Sequence, residues 1–438
     1  MSAPTPHLAT LANGVRLVCI PLPHLASASV SVFVRAGSAH EAARFNGIGH
    51  AVEHMVFKGT QARDRRRINL DAERLGADVN AHTDKDHTAF HLRGLAEHVE
   101  RYVHMLGDLV CRPTFPQEEI EPERQVLLAE FAEDEDDALA TAFKLFDKAC
   151  WGLHPFAQPV IGRRRTLEQF TRRDLVEHVQ HLYTGANVIV AAAGPFGPGQ
   201  AAGTPEALLR AVEQAFGALQ AGSPNLVPPV RWSGGLAFRH LAGTSQAHAG
   251  LGFPIPDLAA DDAAFPLAAA TLGEGMSSPL MERLREELGL AYYAACSADV
   301  YDGFGQFVIE ASMAPDRLDE CLRESVTLLC RHAEQVEADD VERARSQLLV
   351  RQLRHQESPT RLLEAMALDL FALGRVRSAH ERAERLRSVG PPEVRQAFVR
   401  MLGSGTSVAV SGAVGRGVRE RLRQLVAPLG QGLFARRG

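Results

Sequence analysis

Residues 47–60 read GIGHAVEHMVFKGT and place two histidines and a glutamate within five positions. If this stretch is helical, His50 and His54 lie one turn apart on one face, and Glu53 lies beside them. Both imidazoles can then direct a ring nitrogen at one point, an arrangement that suits zinc. The same pattern also arises by chance, so a solvated pair of helix histidines is the alternative interpretation.

Residues 121–137, EPERQVLLAEFAEDEDD, offer acidic candidates for a third ligand. Pro122 predicts the start of a helix, because its fixed φ and missing N–H suit the first turn. Glu123 and Glu130 are seven positions apart, or two helical turns, and therefore share a face. A carboxylate from this helix would complete a three-ligand metal site.

The composition limits the class of protein. A chain of 438 residues is too long for one ordinary core, which predicts two or more domains. The content of 45% hydrophobic and 23% charged residues is typical of a soluble globular protein. The net charge of −6, without a long basic block, argues against nucleic acid and anionic membranes as partners. Neither a secretory signal nor an apolar run of membrane-spanning length is visible, which predicts a cytoplasmic location.

The chain divides near its middle. Residues 221–235, AGSPNLVPPVRWSGG, are rich in proline and glycine and indicate a linker. NVIVAAAG at 187–194 resembles SVAVSGAVG at 407–415, and SVSVFVRAG at 29–37 loosely resembles QAHAGLGFP at 246–254. Both pairs have an offset of roughly 220 residues, which indicates an ancient duplication.

These motifs together resemble the insulinase and mitochondrial-processing-peptidase family of zinc peptidases. The inverted H-x-x-E-H motif is followed by a glutamate inside E-R-x-V-x-x-x-E, as in that family. GADVNAHTDKDHTAFHL at 76–92 resembles the family's edge strand and its hairpin partner, and HPFAQPVIG at 154–162 is also similar. GMSSPLMERLREELGLAYYAACSADVYDGFGQF at 275–307 resembles the stretch that carries the family's arginine–tyrosine substrate pair. The resemblance covers nearly the whole chain.

The resemblance implies a metal site with assigned roles. His50, His54 and Glu130 correspond to the zinc ligands, with one Zn²⁺ per chain, and Glu53 corresponds to the general base. Glu123 matches a second acid, expected to orient a ligand or share the proton. The alternative for Glu123 is a solvated helix acid.

The resemblance also implies substrate-binding residues. Arg285 and Tyr292 match the family's pair and are expected to donate hydrogen bonds to a peptide carbonyl. A surface salt bridge is the alternative for Arg285, and the neighbouring Tyr293 is interpreted as packing. An extended peptide is expected to pair with the edge strand through main-chain hydrogen bonds. The matching residues of that strand are Asn80, Ala81, His82 and Thr83.

The predicted fold class is α+β, with two homologous halves that each form a largely antiparallel β-sheet with helices packed on one face. The resemblance implies that this is the LuxS/MPP-like metallohydrolase fold. Residues 1–222 are predicted to form the zinc-binding half, residues 223–235 the linker, and residues 236–438 the half that carries Arg285 and Tyr292.

The predicted function is a zinc metalloendopeptidase that cleaves unfolded or short peptides. The resemblance implies that cleavage takes place inside a clam-like chamber enclosed by two chains. A homodimer is the first expectation, and a heterodimer with a related chain is the second. Two alternatives remain open: a scaffold or partner subunit without turnover, and a subunit dedicated to processing one precursor peptide with a second chain. The sequence does not indicate the substrate or the cleavage preference.

Overall fold

Two β-sheets organise residues 5–415 and 417–430, which the computed structural model describes. The strands of the first half are β1 (His7–Thr10), β2 (Arg16–Pro21), β3 (Ser27–Val34), β4 (Asp78–Thr83), β5 (Thr88–Leu95) and β6 (Val188–Gly194). Those of the second half are β7 (Gly235–His240), β8 (Ala247–Ile255), β9 (Ala291–Tyr301), β10 (Phe304–Met313) and β11 (Ser407–Gly412).

The two sheets repeat one topology, as the duplication predicts. Sheet 1 has the order β1-β2-β6-β3-β5-β4, and sheet 2 has the order β7-β11-β8-β10-β9. The β2–β6 and β7–β11 pairs are parallel, and the other neighbouring strands are antiparallel. The segments that resemble each other in sequence, β6 with β11 and β3 with β8, occupy equivalent places. The prediction of two homologous, largely antiparallel halves is confirmed.

Helices make up the rest of the regular structure. In chain order they are α1 (Ile48–Met55), α2 (Arg65–Arg74), α3 (Val99–Cys111), α4 (Gln117–Asp136), α5 (Ala138–Trp151), α6 (Arg164–Leu167), α7 (Arg172–Leu182), α8 (Pro205–Phe216), α9 (Ala264–Gly273), α10 (Pro279–Met281), α11 (Leu318–Glu334), α12 (Ala338–Glu357), α13 (Pro359–Leu373), α14 (Ala379–Ser388), α15 (Pro391–Leu402) and α16 (Val418–Gly430). A π-helical segment, Glu282–Glu287, continues α10. None of the helices in the described part of the chain is long and apolar enough to cross a bilayer.

Each sheet belongs to its own compact unit. One helical segment from each half of the sequence belongs to the unit that is formed mainly by the other half. Unit 1 contains residues 1–132, 158–228 and 355–376, and unit 2 contains residues 133–157, 229–354 and 377–438. Helix α13 therefore belongs with sheet 1, and α5 belongs with sheet 2. The central division at residue 228 falls inside the predicted linker, which contains neither helix nor strand before Gly235.

Sheet 1 is covered on both faces because its strands are apolar on both faces. On one face, side chains such as Val30 and Val32 pack against α1, α3, α7 and α8. On the other face, Phe33, Ile189 and their neighbours pack against α13. The seven residues of β6 are all buried, as expected for a strand covered on both sides. The predicted architecture has helices on one face only, so α13 on the second face is an addition to it.

Sheet 2 has a comparable arrangement. Its main core packs against α9, α11, α15 and α16, while α5 lies on the other face. Two glycines in β8 explain how α5 approaches so closely: a Cβ at Gly252 would lie 2.5 Å from the ring of Phe146, and one at Gly250 would lie 3.1 Å from it. Glycine thus makes room for a phenylalanine in the middle of a strand.

The predicted start of the acidic helix at Pro122 is wrong. Helix α4 begins at Gln117, and Pro122 lies inside it. Pro122 is the sixth residue of the helix, so its missing N–H removes a single hydrogen bond, to the carbonyl of Glu118, and the helix continues through it. Glu123 and Glu130 keep their two-turn spacing, because both lie within α4.

Candidate metal centre

Helix α1 presents the histidine motif on one side and anchors itself with the other. Val52 and Met55 are buried in the core of unit 1. His50, Glu53 and His54 are half-buried on the opposite side. The motif is therefore neither solvated on a free helix nor sealed inside the core.

The buried carboxylate of Glu41 holds the N-terminus of α1. Its Oε2 accepts hydrogen bonds from the Gly47 amide at 2.7 Å and the Asn46 side chain at 2.9 Å, and its Oε1 accepts one from the Gly49 amide at 2.8 Å. Burial raises the pKa of Glu41 to about 7, although these three donors favour the charged form. An acid at this position satisfies amides that a helix N-terminus leaves unpaired.

The turn before α1 requires glycine at two positions. Gly47 has a φ of +95°. A Cβ at Gly47 would lie 2.6 Å from the Cα of Gly162, which itself has a positive φ of 84°. The segment HPFAQPVIG, noted in the sequence, therefore ends in a backbone contact that supports the start of the metal-motif helix.

The three predicted zinc ligands converge. Glu130 on α4 places its Oε2 3.7 Å from His50 Nε2 and 3.6 Å from His54 Nε2, and all three donor atoms lie within 4.8 Å of one another. These separations are too long for hydrogen bonds. Ligands arranged tetrahedrally at about 2.0–2.1 Å from zinc lie roughly 3.4 Å apart. The donors therefore fit a zinc ion between them.

The electrostatic state of His50 also fits metal binding. Its burial, together with the neighbouring charge of His54, lowers the pKa of His50 to about 4, despite the opposing charge of Glu123. The ring is then neutral at pH 7, which is the form that ligates a metal.

Glu123 supports His54 from behind. Its Oε1 lies 2.8 Å from His54 Nδ1, and its Oε2 forms an ion pair with Lys58. Burial alone would raise the pKa of Glu123, but the hydrogen bonds and charges of His54 and Lys58 outweigh it and lower that pKa. A charged Glu123 accepts a hydrogen bond from the Nδ1–H group of His54, so the Nε2 atom of that ring carries the lone pair directed at the donor cluster.

Replacing Glu123 by glutamine is expected to weaken zinc binding at this site by about 10–100-fold, because the neutral amide holds His54 less firmly and leaves Lys58 unpaired. Competition with a chromogenic chelator measures the affinity. Glu121→Gln is the matched control, since Glu121 lies on the same helix but is exposed. Equal zinc affinity in Glu123→Gln and wild type would show that Glu123 does not assist His54 in binding zinc.

Glu53 is held beside the donors and is not one of the three. Its Oε2 accepts a hydrogen bond of 2.6 Å from the Thr83 hydroxyl of β4. Burial raises the pKa of Glu53, against the hydrogen bond from Thr83 and the nearby charges of His54 and His82. A carboxylate with a raised pKa next to a metal site suits proton transfer.

The predicted substrate strand lies at the edge of sheet 1. Among the described strands, only β5 pairs with β4, so one side of β4 is open to main-chain hydrogen bonds. Its side chains differ in direction. Thr83 contacts Glu53, whereas His82 Nε2 lies 3.6 Å from Glu364 Oε1 on α13. Asn80 Oδ1 accepts a hydrogen bond of 2.9 Å from the amide of Ala81. Substrate binding by this strand stays a prediction.

Arg285 and Tyr292 belong to unit 2. Arg285 lies on the π-helical segment, and its side chain is 47% exposed. Tyr292, in β9, is 81% exposed. Tyr293, interpreted from the sequence as packing, is instead 46% exposed and donates a hydrogen bond of 2.8 Å to Glu310. Arg285 Nε lies 3.6 Å from Glu286 Oε1, which matches the surface salt bridge named as its alternative. The substrate role of Arg285 and Tyr292 stays a prediction.

Two residues that support the metal centre, Glu41 and Lys58, were not predicted from the sequence. Glu41 lies nine positions before His50, and Lys58 lies four positions after His54. The acid near a helix start was the available signal for Glu41. Nothing in the sequence pairs Lys58 with Glu123, because the two meet only when α4 packs against α1.

Comparison with known proteins places this geometry in a family. The model for insulinase (Peptidase family M16) matches residues 17–164, and that for the Peptidase M16 inactive domain matches residues 169–348. An uncharacterized zinc protease of Mycobacterium leprae is 30% identical over 320 residues, which span 72% of this chain and 70% of that protein. The chain belongs to peptidase family M16. An uncharacterized zinc protease of Rickettsia felis is 27% identical over 408 residues, or 93% of this chain and 97% of that protein.

Solved structures share the M16 fold. A protease from Helicobacter pylori superposes with a TM-score of 0.85 at 19% identity, covering 93% of this chain and 99% of that chain. A protein from Pseudomonas fluorescens, described as a peptidase M16 inactive domain, gives 0.84 at 19% identity, covering 94% of this chain and 98% of that chain. The M16 inactive-domain match lies in the part of the chain that lacks the H-x-x-E-H motif.

Proposed function

We propose that this M16 protein is a zinc-dependent metalloendopeptidase that cleaves unfolded or short peptides. The observation that carries the proposal is the convergence of His50, His54 and Glu130, in which Glu130 Oε2 lies 3.7 and 3.6 Å from the two histidine Nε2 atoms. Glu53 lies beside these three residues and is not one of the donors. Relatives named zinc proteases support the same activity.

The chain's own residues divide the work. When bound, a zinc ion supplies a Lewis acid that polarises a carbonyl and acidifies water. Glu53 accepts the proton from the attacking water and returns it to the leaving amine. Glu123 keeps His54 in one tautomer, and Thr83 holds Glu53 in place through its hydrogen bond. The open side of β4 pairs with the main chain of an extended peptide, which requires little sequence specificity.

A combined measurement of zinc and turnover tests this function. The purified protein is expected to contain zinc and to cleave a generic quenched peptide, and a chelator is expected to abolish cleavage. Zinc binding without cleavage of any peptide would instead favour the scaffold or partner subunit. Restoration of cleavage by added zinc after the chelator is removed serves as the control for irreversible damage.

We propose further that the active form is a homodimer in which Arg285 and Tyr292 of one chain serve the zinc site of the other. The support is that the zinc motif and the Arg–Tyr pair both occur in this chain, but in different compact units. A two-fold symmetric dimer places the same residues at both sites.

Mixing two inactive variants tests this arrangement. A chain with Glu53→Gln and a chain with Arg285→Ala and Tyr292→Phe are each expected to form nearly inactive homodimers. In a mixed dimer, one site carries both defects and the other carries neither. Random mixing makes about half the dimers mixed, so roughly a quarter of wild-type activity should return. Mixed dimers purified with two tags but without activity would show that each chain completes its own site.

A further inference from the structure

A second group of histidines and a glutamate lies on the α13 face of sheet 1. His82 comes from β4, His87 from the turn before β5, and Glu364 from α13. One donor atom of each lies within 4.8 Å of the others. Neighbouring side chains of a strand point to opposite faces. The group therefore lies across the sheet from Thr83 and Glu53, and it is separate from the first donor cluster.

The second group reproduces the geometry of the first. Glu364 Oε1 lies 3.6 Å from His82 Nε2 and 3.6 Å from His87 Nε2, compared with 3.6 and 3.7 Å for Glu130 in the first cluster. A histidine that shared a proton with the carboxylate would close to about 2.8 Å. The observed separations instead match those of ligands around a tetrahedral metal ion, which lie roughly 3.4 Å apart.

The outer ring nitrogens of both histidines have partners, which directs both Nε2 atoms inward. His87 Nδ1 lies 2.7 Å from Asp86 Oδ1. His82 Nδ1 lies 3.2 Å from His91 Nε2, and His91 Nδ1 lies 2.8 Å from Ser31 Oγ. When Asp86 and His91 accept hydrogen bonds from the Nδ1–H groups, each ligand histidine presents a lone pair at Nε2. A carboxylate or another acceptor behind a ligand histidine is the usual arrangement at protein metal sites.

The inward atom of His87 lacks a hydrogen-bond partner among the described residues. His87 is 2% exposed, and its Nε2 is buried without a hydrogen bond within the described residues. A buried nitrogen without a hydrogen bond is destabilising, so such atoms usually face a ligand or an ordered water. A proton competes for this position. Burial disfavours the charged ring, but the carboxylates of Asp86 and, after it, Glu364 outweigh burial and raise the pKa of His87 to about 10. A metal ion that binds here must displace that proton.

We propose that His82, His87 and Glu364 form a second metal site, which takes Zn²⁺ or another transition ion that prefers imidazole and carboxylate ligands. A donor set of two neutral imidazoles and one carboxylate favours such ions over Ca²⁺ or Mg²⁺, which prefer oxygen. His82 is 40% and Glu364 32% exposed at the side chain, which leaves an approach from solvent. The bound ion ties the edge strand β4 to α13 on the face opposite Glu53.

Metal counting tests the proposal without reference to activity. Each protein is equilibrated with micromolar Zn²⁺, desalted and analysed by inductively coupled plasma mass spectrometry. Wild type is expected to hold about two zinc ions per chain, and His54→Ala about one, because it disables only the first site. Glu364→Gln and His82→Asn are each expected to hold about one, and each combined with His54→Ala almost none.

A histidine–glutamate pair without a third donor provides the control. His98 Nε2 lies 3.7 Å from Glu97 Oε1, and this pair is outside both donor clusters. His98→Ala is expected to leave the zinc count at the wild-type value. Circular dichroism checks that the variants are folded. Glu364→Gln and His82→Asn both change partly exposed side chains, so one variant still tests the site if the other does not fold.

Cobalt provides an independent readout in the His54→Ala background. Co²⁺ at the second site is expected to produce a visible d–d absorption band, and adding Glu364→Gln is expected to remove it. A His54→Ala protein that binds no zinc, or a zinc count that Glu364→Gln and His82→Asn leave unchanged, would each overturn the proposal. The group would then be a protonated histidine paired with two carboxylates.

Discussion

Glu53→Gln is expected to lower peptide cleavage by at least about 100-fold while zinc stays bound at the first site, because the substitution removes the proton acceptor and leaves the ligands in place. The three donor atoms belong to His50, His54 and Glu130, and Glu53 is instead hydrogen-bonded to Thr83. The glutamine side chain has nearly the same size and can still accept the hydrogen bond from Thr83. Turnover and metal content are measured on the same sample.

The control for this prediction is Glu118→Gln. Glu118 lies on α4 and is exposed, so its neutralisation should change neither quantity. Loss of zinc from Glu53→Gln would mean that the base and a ligand are misassigned. Cleavage at the wild-type rate would show that another group accepts the proton.

Glu130→Gln and His54→Ala are expected to have the opposite signature, in which zinc itself is lost. Each removes one of three protein ligands and should weaken binding at the first site by more than about 100-fold, beyond the usual effect of a supporting residue. The measurement is cleanest in a Glu364→Gln background, where the second site does not contribute to the count. Cleavage should fall in parallel with the lost metal.

Full zinc occupancy in the Glu130→Gln variant would contradict the ligand assignment. It would point to Glu123 or to an acid in residues 133–137 as the third ligand. Glu123 already contacts His54 Nδ1 and Lys58, so its use as the third ligand would require these contacts to rearrange in the metal-bound protein.

The sequence was sufficient for the local geometry of the first site because helix periodicity determines it. An i, i+4 pair on α1 and a seven-residue spacing on α4 place side chains on one face wherever the helices lie. For the same reason the misplaced start of α4 at Pro122 did not disturb the relation between Glu123 and Glu130. The offset of roughly 220 residues between similar segments likewise predicted two halves of related structure.

Contacts between distant segments could not be read in this way. The apolar outer face of sheet 1 requires a cover, but nothing in residues 359–373 shows that α13 supplies it instead of a helix from the first half. The pairing of Glu364 with His82 and His87 depends on that exchange. His82 was interpreted only as part of a strand, because its partner lies in the second half of the sequence.

The supporting residues of the first site were missed for a related reason. Glu41 precedes α1 by several residues, and its three hydrogen bonds form only when the chain turns back at Gly47. That turn depends on the close contact with Gly162, which is more than 100 residues away. Tertiary structure, and not local propensity, brings these groups together.

Mass spectrometry of the products from a mixed peptide library, with and without chelator, shows whether the protein is a zinc endopeptidase. We expect cleavage at internal peptide bonds, its loss when a chelator strips the metal, and its return when zinc is restored. Glu53→Gln, loaded with zinc, should leave the library intact. Cleavage that persists in the chelator or in Glu53→Gln, or an intact library with the zinc-loaded wild-type protein, would contradict the assignment of a zinc endopeptidase.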